Sequence, residues 1–461
     1  MPPQLPPWQP AVPPPWHQPG ASGPWPTAPP PPSARGRNVL IGVVTVFVLI
    51  TGGFAVVNLT SGGQGGSSTP EGAVEDFFDS VANEDLIGVL EVLDPAERDV
   101  MMPFVQNLES ELSRLAITED VDLSDVPGFD IQLDGLDVSS TELQPGMAEV
   151  DVNGGELSFS TQPDSIPVGE VLQNIIEANG GDTRIEATHD EVNLDEEDLF
   201  FVATETDGRW HVSVFFTIAE YARRDEGLDL PTLGQGVQPQ GAPSAEDAVR
   251  QMVDAATNLD LERMIALLPP DEMRALQTYA PLFLDDAQQS LEEYRTDEGF
   301  DIRVDGLELE SSAVEGGTRV VPTAGTVTIG TDEGDVAVSL SDNCIEVSGD
   351  LATDFEDEFG GTRVCADDLG DLGGDLTPQE EADLRELGQL FGGLRPGLVV
   401  VERDGAFYVD PLLSTSDLVF QLFSGIKRED LEEGGVLFRL FTDDMFNDFE
   451  TCENPDDSYD C

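Results

Sequence analysis

Three residue types in this chain could carry chemistry: three histidines, four cysteines and a large excess of carboxylates. The histidines are His17, His189 and His211. His17 lies in a proline-rich leader and His189 in an acidic loop. His211 follows Trp210 in an alternating run, so the two side chains are expected on opposite faces of a strand, with Trp210 inward and His211 outward. The second half of the chain has Tyr408 at the matching place, so the histidine is not a repeated feature. No Gly-x-Ser-x-Gly elbow, phosphate-binding loop, His-Glu-x-x-His pair or dinucleotide fingerprint occurs. Carboxylates are too numerous for any one pair to stand out. We therefore expect no catalytic residue, no cofactor and no metal site, and not an enzyme.

The cysteines, Cys344, Cys365, Cys452 and Cys461, all lie late in the chain. No Cys-x-x-Cys or neighbouring histidine favours zinc. An even count suits disulfides in an oxidising compartment. Three pairings are open, and the local ones close the shortest loops. We expect Cys344–Cys365 and Cys452–Cys461.

The charge is lopsided, with 92 Asp and Glu against 21 Lys and Arg. Every acidic residue falls at or after Glu71, and only Arg35 and Arg37 of the basic ones precede it. The later part thus keeps 19 basic against 92 acidic residues, a formal charge of −73. Such a surface repels nucleic acid, excludes it as a partner, and favours a basic or cationic one. Acid with a single lysine, Lys427, resembles salt-adapted proteins and those of high-GC actinobacteria. No calcium-binding loop of the Asp-x-Asp-x-Asp-Gly type occurs.

Three elements must position these residues. The first is a tail. Residues 1–32 hold 15 prolines and three of the four tryptophans, as Pro7-Trp8, Pro15-Trp16 and Pro24-Trp25. The composition predicts a disordered polyproline-type segment over 1–37, able to engage a partner with an aromatic groove. The second is an uncharged run, Val39–Leu59, of 21 residues. About 20 apolar residues cross a bilayer core, which predicts one transmembrane helix over 38–59. Arg35 and Arg37 before it predict a cytoplasmic N-terminus and a bulk outside the cell membrane.

The third element is a repeat. At an offset of 175, Glu71, Ala73, Val74, Asp79, Asn83, Asp85, Leu86, Leu93 and Pro95 recur as Glu246, Ala248, Val249, Asp254, Asn258, Asp260, Leu261, Leu268 and Pro270. Val74, Phe77, Phe78 and Val81, like Val249, Met252, Val253 and Ala256, form the stripe of an amphipathic helix. Thr69 and Ser244 are placed to cap these helices. Downstream, Phe129-Asp-Ile-Gln-Leu-Asp-Gly-Leu136 matches Phe300-Asp-Ile-Arg-Val-Asp-Gly-Leu307, where the repeated Asp134-Gly and Asp305-Gly read as turns. A third match joins Val202–Val212 to Val399–Val409, each with an Asp-Gly hairpin signal. The predicted organisation is a Gly/Ser linker at 60–69, α+β repeat one at 70–232, a linker at 233–243, α+β repeat two at 244–420, and a helical appendage with an acidic tail at 421–461.

Each repeat, a helix, a short helix and a meander ending in Asp-Gly-x-aromatic-x-Val, resembles the nuclear transport factor 2-like superfamily. The residues that carry the likeness are Pro70–Phe78 through Leu90–Pro95 and Asp207–Val212, and again Ala245–Pro270 and Asp404–Val409. The likeness implies two α+β domains, each with helices wrapped in a curved antiparallel sheet, and either an acid–base pocket or plain binding. Copy one departs from that pattern with a helical stretch near Val168–Ala178, and copy two with Gln379–Phe391. The expected function is a membrane-anchored extracytoplasmic binding scaffold of the cell envelope, without catalysis. The alternatives are a small-molecule enzyme with a polar cone-shaped pocket, or an accessory membrane protein resembling those called flagellar basal-body-associated. This last likeness is one of topology alone.

Overall fold

Thr69 begins the first ordered element because its hydroxyl accepts from Gly72 N at 3.1 Å, with Pro70 at the first helical position. Helix α1 (Pro70–Ala82) buries Ala73, Val74, Phe77 and Phe78. In the second unit Ser244 caps its counterpart in the same way, accepting from Asp247 N at 3.1 Å. In the computed structural model the described residues are 65–442, apart from 120–121, 125, 163–164, 179–188, 195–197, 298, 332–333, 342–343, 351–362 and 366–377.

After α1 the chain reverses through Glu84 at φ 51°, and Asp85 then caps α2 (Leu86–Glu91) by accepting from Gly88 N at 2.8 Å. Asp94 caps the 20-residue helix α3 (Pro95–Arg114). Strands β1 (Phe129–Gln144) and β2 (Met147–Thr161) follow, then α4 (Glu170–Ala178), β3 (His189–Asn193), β4 (Phe200–Thr206), β5 (Arg209–Ser213) and α5 (Val214–Asp225).

The second unit retraces this path. It runs through α6 (Ala245–Thr257), Leu259 at φ 57°, Asp260 as cap, and α7 (Leu261–Ala266). The segment matching α3 is broken into α8 (Arg274–Tyr279), a turn of 3₁₀ helix at Ala280–Leu282 and α9 (Leu284–Asp297). Strands β6 (Asp301–Val314), β7 (Gly317–Thr331), β8 (Gly334–Ser341), β9 (Cys344–Gly349) and β10 (Arg363–Cys365) come next. Helix α10 (Pro378–Phe391), β11 (Leu398–Arg403), β12 (Ala406–Asp410) and α11 (Pro411–Gly425) then lead to α12 (Arg428–Leu431) and α13 (Val436–Thr442).

Both sheets are antiparallel, five-stranded in unit one and seven-stranded in unit two. In each, one long strand takes two partners on the same side. Met147–Asp151 of β2 pairs with β4, and Glu156–Ser160 pairs with β3. Strand β7 divides itself likewise between β11 and β8. The repeated Asp-Gly that reads as a turn is instead a bulge within β1 and β6. The register shifts between Asp134 and Asp137 and between Asp305 and Glu308, and Gly135 and Gly306 take φ of 68° and 64°. The later Asp-Gly pairs do form tight hairpins, Asp207 and Asp404 lying at φ 56° and 52° before their glycines.

Polar contacts also repeat. Ser140 on β1 donates to Glu71 at 2.5 Å, and Ser311 on β6 donates to Glu246 at 2.6 Å, which pegs each first helix to its sheet. Residues just before each unit add a short pairing. Ser67 exchanges backbone hydrogen bonds with Trp210, and Ala242 does so with Phe407. Residues 65–69 and 237–242, which read as linker, are therefore tied to the sheets that follow them.

One expectation of the fold class is corrected. The predicted transmembrane helix over 38–59 lies outside the described residues, and among the described residues no helix is long and apolar enough to cross a membrane. The longest, α3, carries Glu97, Arg98, Asp99, Glu109, Glu111 and Arg114 along its length, a charge density that no hydrocarbon core tolerates. The described architecture is α+β with two antiparallel sheets, and none of its described helices could cross a membrane.

Candidate functional site

The two units meet where strand β4 is buried on both faces. One face joins the core of unit one with Phe77, Phe78 and Val212. The other face, with Phe200 and Val202, packs with Met147 and Phe216 against Ala275 and Tyr279 of unit two. The seam is closed by buried polar groups. Tyr279 donates to Glu220, which is fully buried, at 2.7 Å, and Arg223 donates to the same carboxylate at 2.6 Å. Burial and the Glu220 carboxylate push the Tyr279 phenol far upward. Arg274 of unit two reaches Asp94 of unit one at 3.2 Å, with its guanidinium over the Phe216 ring. Arg224 pairs with Glu149 and covers the Phe200 ring at 4.2 Å.

Two grooves flank this seam. The first, about 480 Å³, runs between α5 and α8. Its walls are Phe215, Ile218, Ala219 and Ala222 on one side and Leu276, Tyr279, Leu282 and Phe283 on the other. It opens to solvent at Ile218 and Phe283, which are 50% and 43% exposed. The second, about 440 Å³, lies between α3 and α11. Phe104 and Phe420, with ring centroids 5.6 Å apart, bridge it, and Asp99, Glu111, Glu315 and Asp417 edge it. Beyond this groove the C-terminal helices dock onto unit one, where Arg114 donates to the carbonyls of Phe423 and Ile426 at 2.9 and 3.0 Å.

The titratable groups nearest the seam are committed to structure. Glu97 is 4% exposed and accepts from the Ser213 hydroxyl at 2.5 Å and from Val214 N and Phe215 N at 2.7 and 3.2 Å. It sits at the N-terminus of α5, where backbone donors are unpaired within the helix. Burial pushes its carboxyl up to about 7, against the pull of those hydrogen bonds. The repeat partner of Glu97 is Glu272, which instead receives Arg403 at 2.5 Å and borders both grooves. The N-cap of α5 is Ser213, which accepts from Phe216 N at 3.1 Å, and at the matching place in unit two Asp410 caps α11 by accepting from Leu412 N and Leu413 N at 3.0 and 2.9 Å. Burial raises the Asp410 carboxyl, and the neighbouring Glu272 raises it further.

The histidines fall differently from their expected places. His211 is 3% exposed, not outward. Alternation does put it opposite Trp210, but that opposite face is covered by the chain at Gly66, where an added Cβ would lie 2.3 Å from the imidazole. Burial lowers its pKa, with Asp94 pulling the other way. His189 is exposed on β3, 3.3 Å from Glu191, and His17 lies outside the described residues. Among the described residues no group of three or more His, Cys, Asp or Glu could hold a metal ion.

Cys344 and Cys365 form a disulfide across the paired strands β9 and β10, as their spacing predicts. Cys452 and Cys461 lie outside the described residues. Nothing local in the sequence marked Tyr279 or Arg274, because each acquires its partner only when the two units meet, and the one local sign of Glu220 is Arg223 three residues on. Glu97 had one signal, its identity with Glu272 at the offset of the repeat. No family model, no curated protein and no solved structure matches this chain.

Proposed function

We propose that this chain is a binding scaffold without catalysis, whose working surface is the junction of its two units, and that it acts outside the cytoplasm on a basic or cationic partner. The observation that carries this reading is the groove of about 480 Å³ between α5 and α8, which is of ligand-binding size and almost wholly apolar. Among the described residues the buried carboxylates beside it hold structural partners, Glu220 with Tyr279 and Arg223, Glu272 with Arg403 and Glu97 with the start of α5, which argues for binding over acid–base chemistry. The cross-strand disulfide suits an oxidising compartment. The formal charge of −73 after residue 70 suits a cationic partner.

The experiment is to challenge the full chain with chromogenic esters, glycosides and phosphate esters, and in parallel with immobilised basic proteins. Binding that weakens as salt rises, with no turnover, is the expected result. Turnover of any substrate that disappears in Glu272→Gln overturns the scaffold reading.

A further inference from the structure

The geometry points to a basic amphipathic helix, a segment of a partner protein, as the occupant of the groove between α5 and α8. This deepens the scaffold reading and rests on it. Helix α5 turns Phe216, Thr217 and Glu220 inward. On its outer side Phe215, Ile218, Ala219 and Ala222 stand at i, i+3, i+4 and i+7 and line the groove. That is the stripe a helix presents to another helix, yet it meets α8 along one flank only. The residues Leu276, Leu282 and Phe283 form the facing wall. Two such walls with an open slot between them match the helix-in-groove mode, in which a third helix inserts apolar side chains at the same spacing.

Charge selects the sign of that helix. The arginines near the groove are already engaged: Arg223 with Glu220, Arg224 with Glu149 and Arg274 with Asp94. The rim carboxylates are not. Asp225 ends α5 and Glu226 is its C-cap, Asp229 follows, and Asp285 and Asp286 stand at the start of α9, just beyond Phe283 and Leu284. All five are exposed, and among the described residues none joins an ion pair. An apolar floor between uncompensated acidic rims fits a helix with leucine-like residues on one face and lysine or arginine on the other. It disfavours an acidic or a neutral helix.

The test is a labelled Leu/Lys peptide of about 18 residues, or five helical turns, titrated into the full chain by fluorescence anisotropy. Binding is expected to weaken as salt rises. Ile218→Asp should weaken it by about tenfold or more, as loss of a central apolar anchor does, with circular dichroism unchanged because Ile218 is half exposed. Ala222→Trp, which fills the slot without adding charge, should do the same. Neutralising the rim with Glu226→Gln, Asp285→Asn and Asp286→Asn together should weaken binding by about threefold to tenfold and flatten the salt dependence.

Equal binding by a scrambled Leu/Lys peptide of the same charge would show adsorption to an acidic surface and overturn the inference. So would equal binding by a Leu/Glu peptide, or unchanged binding by Ile218→Asp and Ala222→Trp. Absence of peptide binding also overturns it but leaves the scaffold reading standing, since that reading falls only to turnover.

Discussion

The two units share a path through space but not a manner of holding it. The core of unit one is aromatic: Phe77, Phe78 and Phe201 pack with ring centroids 5.3–5.7 Å apart. At the matching places unit two has Met252, Val253 and Leu398, which are only partly buried against a smaller cluster. Both units cap the last helix from the end of the preceding strand, with Ser213 in unit one and Asp410 in unit two, but only unit one adds a buried carboxylate from α3, Glu97, which accepts from Ser213, Val214 N and Phe215 N. Unit two alone adds strands β9 and β10 and a disulfide between them. The caps, bulges and hairpins that set the backbone are common to both. The polar groups buried at the seam are not. The two copies can share geometry because the backbone needs it, and they can differ wherever a side chain answers to a neighbour that only one copy has.

The two units differ most in their cores. Phe78 is 1% exposed, so Phe78→Ala should lower the stability of the full chain by about 3–5 kcal/mol. Its counterpart Val253→Ala should cost only about 1 kcal/mol, since half-buried methyl groups are lost. Denaturant unfolding of both variants checks the difference, and equal losses would show that the cores are not distinct.

Replacing Cys344 and Cys365 together by alanine should cost about 3 kcal/mol in the chain-entropy account, confined to unit two. Hydrogen exchange measured by mass spectrometry should show faster exchange in β8 and β9 while unit one is unchanged.

A third comparison is with pH. Burial raises Glu97 from 4.5 to about 7, so the folded chain holds that proton more tightly than the unfolded chain. Its contribution is then most favourable below pH 4.5 and declines as pH rises through 7, by about 3 kcal/mol in total. Glu97→Gln should remove that decline. His211 has the opposite slope: burial lowers its pKa below 6.5, so the unfolded chain binds the proton more readily, and stability is lost as pH falls below 6.5. His211→Tyr, which copies Tyr408 of unit two, should remove the acid loss. Thermal melts across pH 4–8 read both slopes, and parallel profiles for wild type and variants would refute them.

At the seam a modest effect is expected. Tyr279→Phe removes one hydrogen bond to Glu220, which keeps Arg223, so a loss of about 1–2 kcal/mol is expected, with earlier separation of the units in limited proteolysis.

Much of the fold is legible in the residues themselves. Thr69 and Ser244 announce helix starts, because a hydroxyl there satisfies an amide that the helix leaves free. Asn83-Glu-Asp85 and Asn258-Leu-Asp260 announce the reversal and the next cap, because short polar side chains bond their own backbone. Asp207-Gly and Asp404-Gly announce hairpins, since both positions need positive φ. Other elements were legible only in kind. The repeated Asp134-Gly and Asp305-Gly marked an unusual backbone, but a turn and a bulge use the same residue preferences, and only strand pairing distinguishes them. His211 was placed outward by alternation, a rule that holds where one face of a sheet meets water, whereas here residues 65–67 cover that face.

What the sequence determined by itself is therefore everything that depends on near neighbours along the chain: the repeat, its caps and turns, the acidic balance and the local cysteine pair. Tertiary structure alone decided the seam and the grooves beside it. Tyr279 meets Glu220 across 59 residues, and Arg274 meets Asp94 across 180. No pattern of period two or period 3.6 encodes such a meeting, because it follows from how two finished surfaces fit once each unit has folded.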